Sequence, residues 1–179
     1  MIGAGTIGLL CAAVAAQRGA SPIVVVAKHP HQAELAERMG ADLMIQLGKA
    51  DPVKAMREAC DGGPDAVIDC VAAGTSFSSA LAAARRQGRV VVVGEATRPL
   101  LAALGPVIHR ELEVTGSFCY GTTDGKPDFA WAIELIQDGK VDVERLVTHT
   151  LPLHRMEEAF GIAADKSSGA IKVIVRFAE

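Results

Sequence analysis

Aromatic residues are scarce in this sequence, with one Trp, one Tyr and five Phe among 179 residues. The core must therefore be aliphatic, and with half of all residues hydrophobic a sizeable one can be buried. Basic charge is not in excess. The formal net charge is −3 and no basic face stands out, which argues against nucleic acid as a partner. Long apolar runs are missing too. The longest, Ile7 to Ala16, is too short to cross a bilayer, and it follows a glycine turn rather than a basic segment, so a secretory leader is a poor reading. The four cysteines, Cys11, Cys60, Cys70 and Cys119, lack paired spacing, and no Cys-x-x-Cys or His-x-x-x-His pair occurs among them and the five histidines. That leaves neither a disulfide framework nor a zinc pattern. Reduced, buried thiols in a cytoplasmic protein are expected.

What is present is a short-period alternation of strand and helix. Val- and Ile-rich runs at Ile23–Val26, Leu43–Gln46, Ala66–Cys70, Arg89–Val93 and Leu112–Phe118 read as strands, the first of them buried and the last a sheet edge. Between them, Thr6–Arg18, Pro30–Met39, Pro52–Cys60, Ser76–Arg86, Leu100–Ile108 and Asp128–Asp138 read as helices. Met1-Ile2 reads as the stub of a further strand. Six strands with helical crossovers predict an open, doubly wound parallel sheet with helices on both faces. From residue 147 the rhythm changes to an extended segment, a helix at Met156–Ala164 and a strand at Ile171–Val175. Residues 1–146 are thus expected to form one domain, and 147–179 a separate tail.

Gly3-x-Gly5-x-x-Gly8 lies between the strand stub and the first helix. In such a turn the first glycine takes a positive φ, the second lets the backbone approach a pyrophosphate, and the third lets helix and strand pack closely. Free N–H groups of the first helical turn, at Thr6 and Ile7, would then face the phosphates with the helix dipole behind them. After the second strand, where a carboxylate would select the unphosphorylated ribose of NAD, the sequence has Ala27 and then Lys28. A cation there, with His29 or His31 near, favours a 2′-phosphate and hence NADP over NAD.

These residues, with six further segments, resemble the cofactor domain of medium-chain, zinc-type alcohol dehydrogenases. The segments are Glu37–Asp42, Pro64–Val71, Gly88–Gly94, Val114–Phe118, Thr148–Leu153 with Glu158–Phe160, and Gly169–Val173. The resemblance covers nearly the whole chain and implies a Rossmann-type sheet. It also implies that Gly3, Gly5, Thr6, Ile7 and Gly8 build the pyrophosphate site and that Lys28 lies at the adenosine ribose. Val71 and Ala72 would flank the adenosine. Val93, Gly94 and Glu95 would lie along the nicotinamide ribose, Ser117 and Cys119 would meet the carboxamide, and Lys172 would reach the pyrophosphate from the tail.

In that family a catalytic domain carrying zinc ligands and a proton relay precedes the cofactor domain. Nothing in the sequence corresponds to it, and two residues stand where a first strand needs about five. The sequence is therefore expected to be part of a longer dehydrogenase, binding NADP or NAD without turnover by itself and with zinc held only in the other part. Pairing through the edge strand 112–118 would give a homodimer. A non-catalytic dinucleotide-sensing module and a zinc-free quinone or enoyl reductase remain as alternatives, whereas the second βαβ half and the Gly94 and Ser117 segments speak against a methyltransferase using a sulfonium cofactor. Of the other candidates, Cys70 and Trp131 read as core residues, Arg85-Arg86 as a solvated helix end, and His149 as a structural hydrogen-bonding residue.

Overall fold

The computed structural model describes residues 1–177. Helix α1 spans Thr6–Gln17, followed by β1 (Val24–Ala27), α2 (Pro30–Arg38), β2 (Leu43–Gln46), α3 (Pro52–Ala59) and β3 (Ala66–Asp69). The second half runs α4 (Gly74–Ala83), β4 (Arg89–Val92), α5 (Gly105–Arg110) and β5 (Glu113–Gly116). A short antiparallel hairpin, β6 (Thr122–Thr123) and β7 (Lys126–Pro127), leads to α6 (Asp128–Gln137).

Strands β1 and β2 pair in parallel, as do β3, β4 and β5 in that order. The chain's first residues join the two groups. Ile2 bridges both Val26 of β1 and Asp69 of β3. Its N–H donates to the Ile68 carbonyl at 2.8 Å and its carbonyl accepts from Cys70 N–H at 3.0 Å, while Met1 O accepts from Val26 N–H at 2.8 Å. The sheet therefore reads β2–β1–stub–β3–β4–β5, with the crossovers running outward in opposite directions from the stub, as the strand–helix alternation predicts. The Met1 amino group donates to the Val24 carbonyl at 2.6 Å, and burial pushes it below its ordinary pKa.

Strand β1 is buried on both faces because its side chains alternate between two cores. Val25 and Ala27 pack with Leu9, Ala12, Leu35 and Met39, from α1, α2 and the residue after α2. Val24 and Val26 pack with Met56, Ala80 and Leu81 from α3 and α4. Each core is aliphatic, and burying a Leu or Met side chain of this kind contributes about 1.5–3 kcal/mol.

The tail forms its own two-stranded parallel sheet, β8 (Val147–Pro152) with β9 (Lys172–Arg176), connected through α7 (Met156–Ala164). It docks on the first core through Ile171, with Leu146 just before it and Val141 also buried there.

Several details differ from the sequence reading. Helix α5 starts at Gly105, not near Leu100, because Pro106 occupies its first turn, a start signal that the apolar run Leu100–Leu104 obscured. Strand β5 ends at Gly116 because its neighbour β4 ends at Val92. The Ser117 N–H makes the last ladder contact, to Val92 O at 3.0 Å. Trp131 is not core: α6 buries no residue, and the indole is half-buried between the Arg18 and Lys126 cations. Arg85 and Arg86 lie beyond the end of α4 and pair with Asp65 and Glu111.

Candidate functional site

The C-terminal ends of the stub, β1, β2 and β3 open on one cleft of about 620 Å³, lined among others by Gly3, Gly5, Lys28, Cys70 and Val71. This is the point where the strand order reverses, where open α/β sheets place their ligands.

The turn into α1 is shaped by backbone contacts. Gly3 has φ +97°, and a Cβ there would come within 2.6 Å of Val71 Cγ2. A Cβ on Gly8 would overlap the Gly3 carbonyl oxygen and lie 3.7 Å from Cys70 Cβ. Gly5 is different. Apart from its own chain neighbours, no protein atom lies within 4 Å of its missing Cβ, although it lines the cleft. The space there is free for a ligand, which fits a pyrophosphate approaching the backbone.

Gly5 is also the N-cap of α1. It offers no side-chain cap, and the first turn carries no acidic residue. Helix α3, by contrast, is capped by Asp51, which accepts from Val53 N–H at 2.9 Å and Lys54 N–H at 3.1 Å. The intrahelical ladder of α1 begins with Leu9 N–H to Gly5 O. The Thr6 and Ile7 N–H groups precede it at the positive end of the helix dipole, a constellation suited to an anion.

Lys28 follows β1. Its N–H and that of His29 both donate to Gln32 Oε1 at 3.1 Å, so buried Gln32 fixes the backbone that carries the lysine. His29 and His31 stack at 5.5 Å, and burial followed by the neighbouring His29 pushes His31 below its ordinary pKa. Neither imidazole is among the residues lining the cleft.

The far wall is set by Asp69, which ends β3 fully buried. Its Oδ1 accepts from Val71 N–H at 3.0 Å and Ala72 N–H at 3.1 Å, and its Oδ2 accepts from Ser76 Oγ–H at 3.0 Å. This holds Ala72 at φ +51° and presents half-exposed Val71 to the cleft. The Asp69 carbonyl accepts from Val93 N–H at 2.9 Å and Gly94 N–H at 3.0 Å. Gly94 approaches so closely that a Cβ would sit 2.6 Å from the Val71 carbonyl carbon.

Gly3, Gly5, Lys28 and Val71 thus share the cleft, with Thr6, Ile7 and Gly8 on the adjoining helical turn and Ala72 buried behind Val71. Val93, Gly94 and Glu95 follow β4, the next strand along the sheet, while Ser117 and exposed Cys119 follow β5; none of these lines the cleft itself. Lys172 begins β9, directly after Ile171, whose carbonyl accepts the Thr6 hydroxyl at 3.1 Å. That contact carries the tail to the start of α1. Sequence reasoning missed Asp69, Ser76 and Gln32 as the residues that position the site. It also took Cys70 for a core residue, whereas Cys70 is half-buried and faces the cleft. Among the described residues no group of three His, Cys, Asp or Glu side chains could hold a metal, so zinc does not fit the residues present and no chemistry is assigned to it. No helix among them is long and apolar enough to cross a membrane.

Residues 6–138 match the family model described as zinc-binding dehydrogenase. The chain is 32% identical over 181 residues to L-idonate 5-dehydrogenase of Vitis vinifera, covering 97% of this chain and 48% of that protein. It is 30% identical to sorbitol dehydrogenase of Bombyx mori, covering 98% and 49%. A solved Sinorhizobium meliloti protein described as a zinc-binding dehydrogenase and bound to NADP superimposes with a TM-score of 0.83 at 25% identity, covering 98% of this chain and 51% of that one. The chain spans about half the length of these relatives. The sheet order, the glycine turn and these matches together show that this chain belongs to the zinc-binding dehydrogenase family, of which it carries the dinucleotide-binding fold.

Proposed function

We propose that this chain binds a nicotinamide dinucleotide, with NADP preferred, for an alcohol dehydrogenase that oxidises a secondary hydroxyl of a polyol or reduces the matching ketone. The observation that carries this reading is the open space above Gly5, in a cleft whose other walls are close-packed. The names of the sorbitol and idonate relatives support the polyol class.

The bound dinucleotide would supply a nicotinamide ring that accepts or donates a hydride. The chain's own residues bind and orient it. Backbone N–H groups of Thr6 and Ile7 donate to the pyrophosphate as it passes Gly3 and Gly5, and Lys172 adds a cation from the tail. Val71 and Ala72 flank the adenosine. Val93, Gly94 and Glu95 guide the nicotinamide ribose, and the backbone at Ser117 and Cys119 meets the carboxamide. Residues 1–146 would do the binding, and 147–179 would form the tail that joins a catalytic domain. With binding as its role, the chain by itself turns over no substrate.

Lys28 decides the cofactor. A charge-assisted contact to the 2′-phosphate contributes about 1.5 kcal/mol, roughly tenfold in affinity. Lys28→Ala is expected to weaken NADPH by that factor and to leave NADH unchanged in a fluorescence titration. Equal losses for both cofactors would refute the NADP preference.

Homodimerisation through β5 is part of the same proposal. Among the described residues, strand β5 pairs with β4 alone, its residues are exposed, and Val114 and Phe118 present apolar surface beside its other edge. Sedimentation equilibrium is expected to give a dimer, and a monomer at every concentration contradicts it.

A further inference from the structure

Cys11 and Cys70 meet beneath the glycine turn, and the phosphate contacts use neither. Cys11 sits on α1 three residues after Gly8, on the same helical face. Cys70 follows β3, with its Cβ 3.7 Å from where a side chain on Gly8 would begin. The neighbouring Cys70 thiol lowers the Cys11 pKa to about 7, while the Cys11 thiol and burial push Cys70 up. Both are free and half-buried, and Cys70 lines the cleft, which gives small reagents a route to the pair. Cys60, by contrast, caps the C-terminus of α3, and Cys119 is exposed on the loop after β5.

We propose that Cys11 and Cys70 form a reversible oxidation site that a peroxide closes to a disulfide, lowering the affinity of the cleft for dinucleotide. The Cys11 thiolate attacks a peroxide oxygen. An S–O bond forms, the O–O bond breaks, and hydrogen peroxide leaves its second oxygen as hydroxide, which takes a proton to become water. Cys70 sulfur then attacks the sulfenic sulfur. The S–S bond forms, the S–O bond breaks, and the departing oxygen takes the Cys70 proton as a second water. Two thiols lose two electrons, and the peroxide gains them.

The link affects binding because the turn has no slack. Cβ atoms in a disulfide lie about 3.8 Å apart. The link ties α1 to the residue after β3 beside Gly8, where a side chain would already overlap the Gly3 carbonyl. Any adjustment of α1 to the link moves the Thr6 and Ile7 N–H groups at its start. Only this consequence for binding rests on the dinucleotide reading above; the thiol pair does not.

The 179-residue chain, treated with hydrogen peroxide and digested without reductant, is mapped by mass spectrometry. A Cys11–Cys70 linked peptide pair is expected, reversed by dithiothreitol and absent in Cys11→Ser. Oxidation of single cysteines without a link, or a link through Cys60 or Cys119, overturns the site. Oxidised and reduced chains are then titrated with NADPH, with about tenfold weaker binding expected after oxidation and restored by dithiothreitol. Equal affinity overturns the coupling to the cleft. A link that forms in a chain whose reduced form binds no NADPH or NADH overturns the functional reading and leaves the thiol site standing.

Discussion

Gly8→Ala is expected to destabilise the chain by about 3 kcal/mol, lowering Tm by about 10 °C, and to abolish dinucleotide binding. The new methyl group would occupy the place of the Gly3 carbonyl oxygen and lie 3.0 Å from its carbonyl carbon. Gly3 cannot retreat, because its N–H is held by Val26 O at 3.0 Å. Cys70, on the other side, is held by its own N–H to Ile2 O at 3.0 Å. Helix α1 must therefore slide off the sheet, taking Leu9 and Ala12 out of the first core. Thermal unfolding followed by circular dichroism measures the shift. An unchanged Tm would mean that α1 does not rest on the stub as described.

Asp69→Ala is expected to cost about 3 kcal/mol, and Asp69→Asn about 1 kcal/mol. The carboxylate is fully buried and accepts from Val71 N–H, Ala72 N–H and Ser76 Oγ–H. Alanine leaves the buried Ala72 N–H without its carboxylate partner and loosens a residue at φ +51°. Asparagine keeps an acceptor for the two backbone groups. It loses the charge and sets an amide nitrogen against the hydroxyl of Ser76, a smaller change. Because Val71 forms one wall of the cleft, dinucleotide affinity falls in the same order. Urea unfolding of the two variants gives the ranking. Equal midpoints for Ala and Asn would show that the charge and hydrogen bonds of Asp69 do not hold this loop.

The sheet was legible in the sequence because its strands read as short Val/Ile runs separated by helices, with β1 buried on both faces. Even Met1-Ile2 could be recognised as the central strand, since the glycine turn after it places it. What the sequence hid falls into two kinds. Strand ends were overextended where a neighbour stops: Leu112–Phe118 is apolar enough to continue, but β4 gives no partner past Val92. Burial was overstated where an apolar run reaches an opening. Cys70 ends a hydrophobic strand yet faces the cleft, and Trp131 sits in an Ala/Ile/Leu helix that buries no residue.

The positioning residues were partly within reach. Gln32 stands at the third position of a helix that follows His29, a capping signal that ties it to the Lys28 backbone. Asp69, with Ala72-Ala73-Gly74 and then Ser76 after it, is a local turn pattern that could have been read. The Thr6 contact to Ile171 could not, because it spans 165 residues with no local signal.

The central claim is that the space above Gly5 belongs to a dinucleotide pyrophosphate. Gly5 has φ −79°, open to alanine, and no atom near its missing Cβ, so Gly5→Ala leaves the protein's own packing intact. Calorimetric titration of NADPH into the parent chain and into Gly5→Ala, with Tm measured alongside, tests this most directly. The account predicts binding to the parent, at least about tenfold weaker binding to the variant and an unchanged Tm. Equal affinity in the two chains, or no binding of NADPH or NADH to a folded parent, would contradict it.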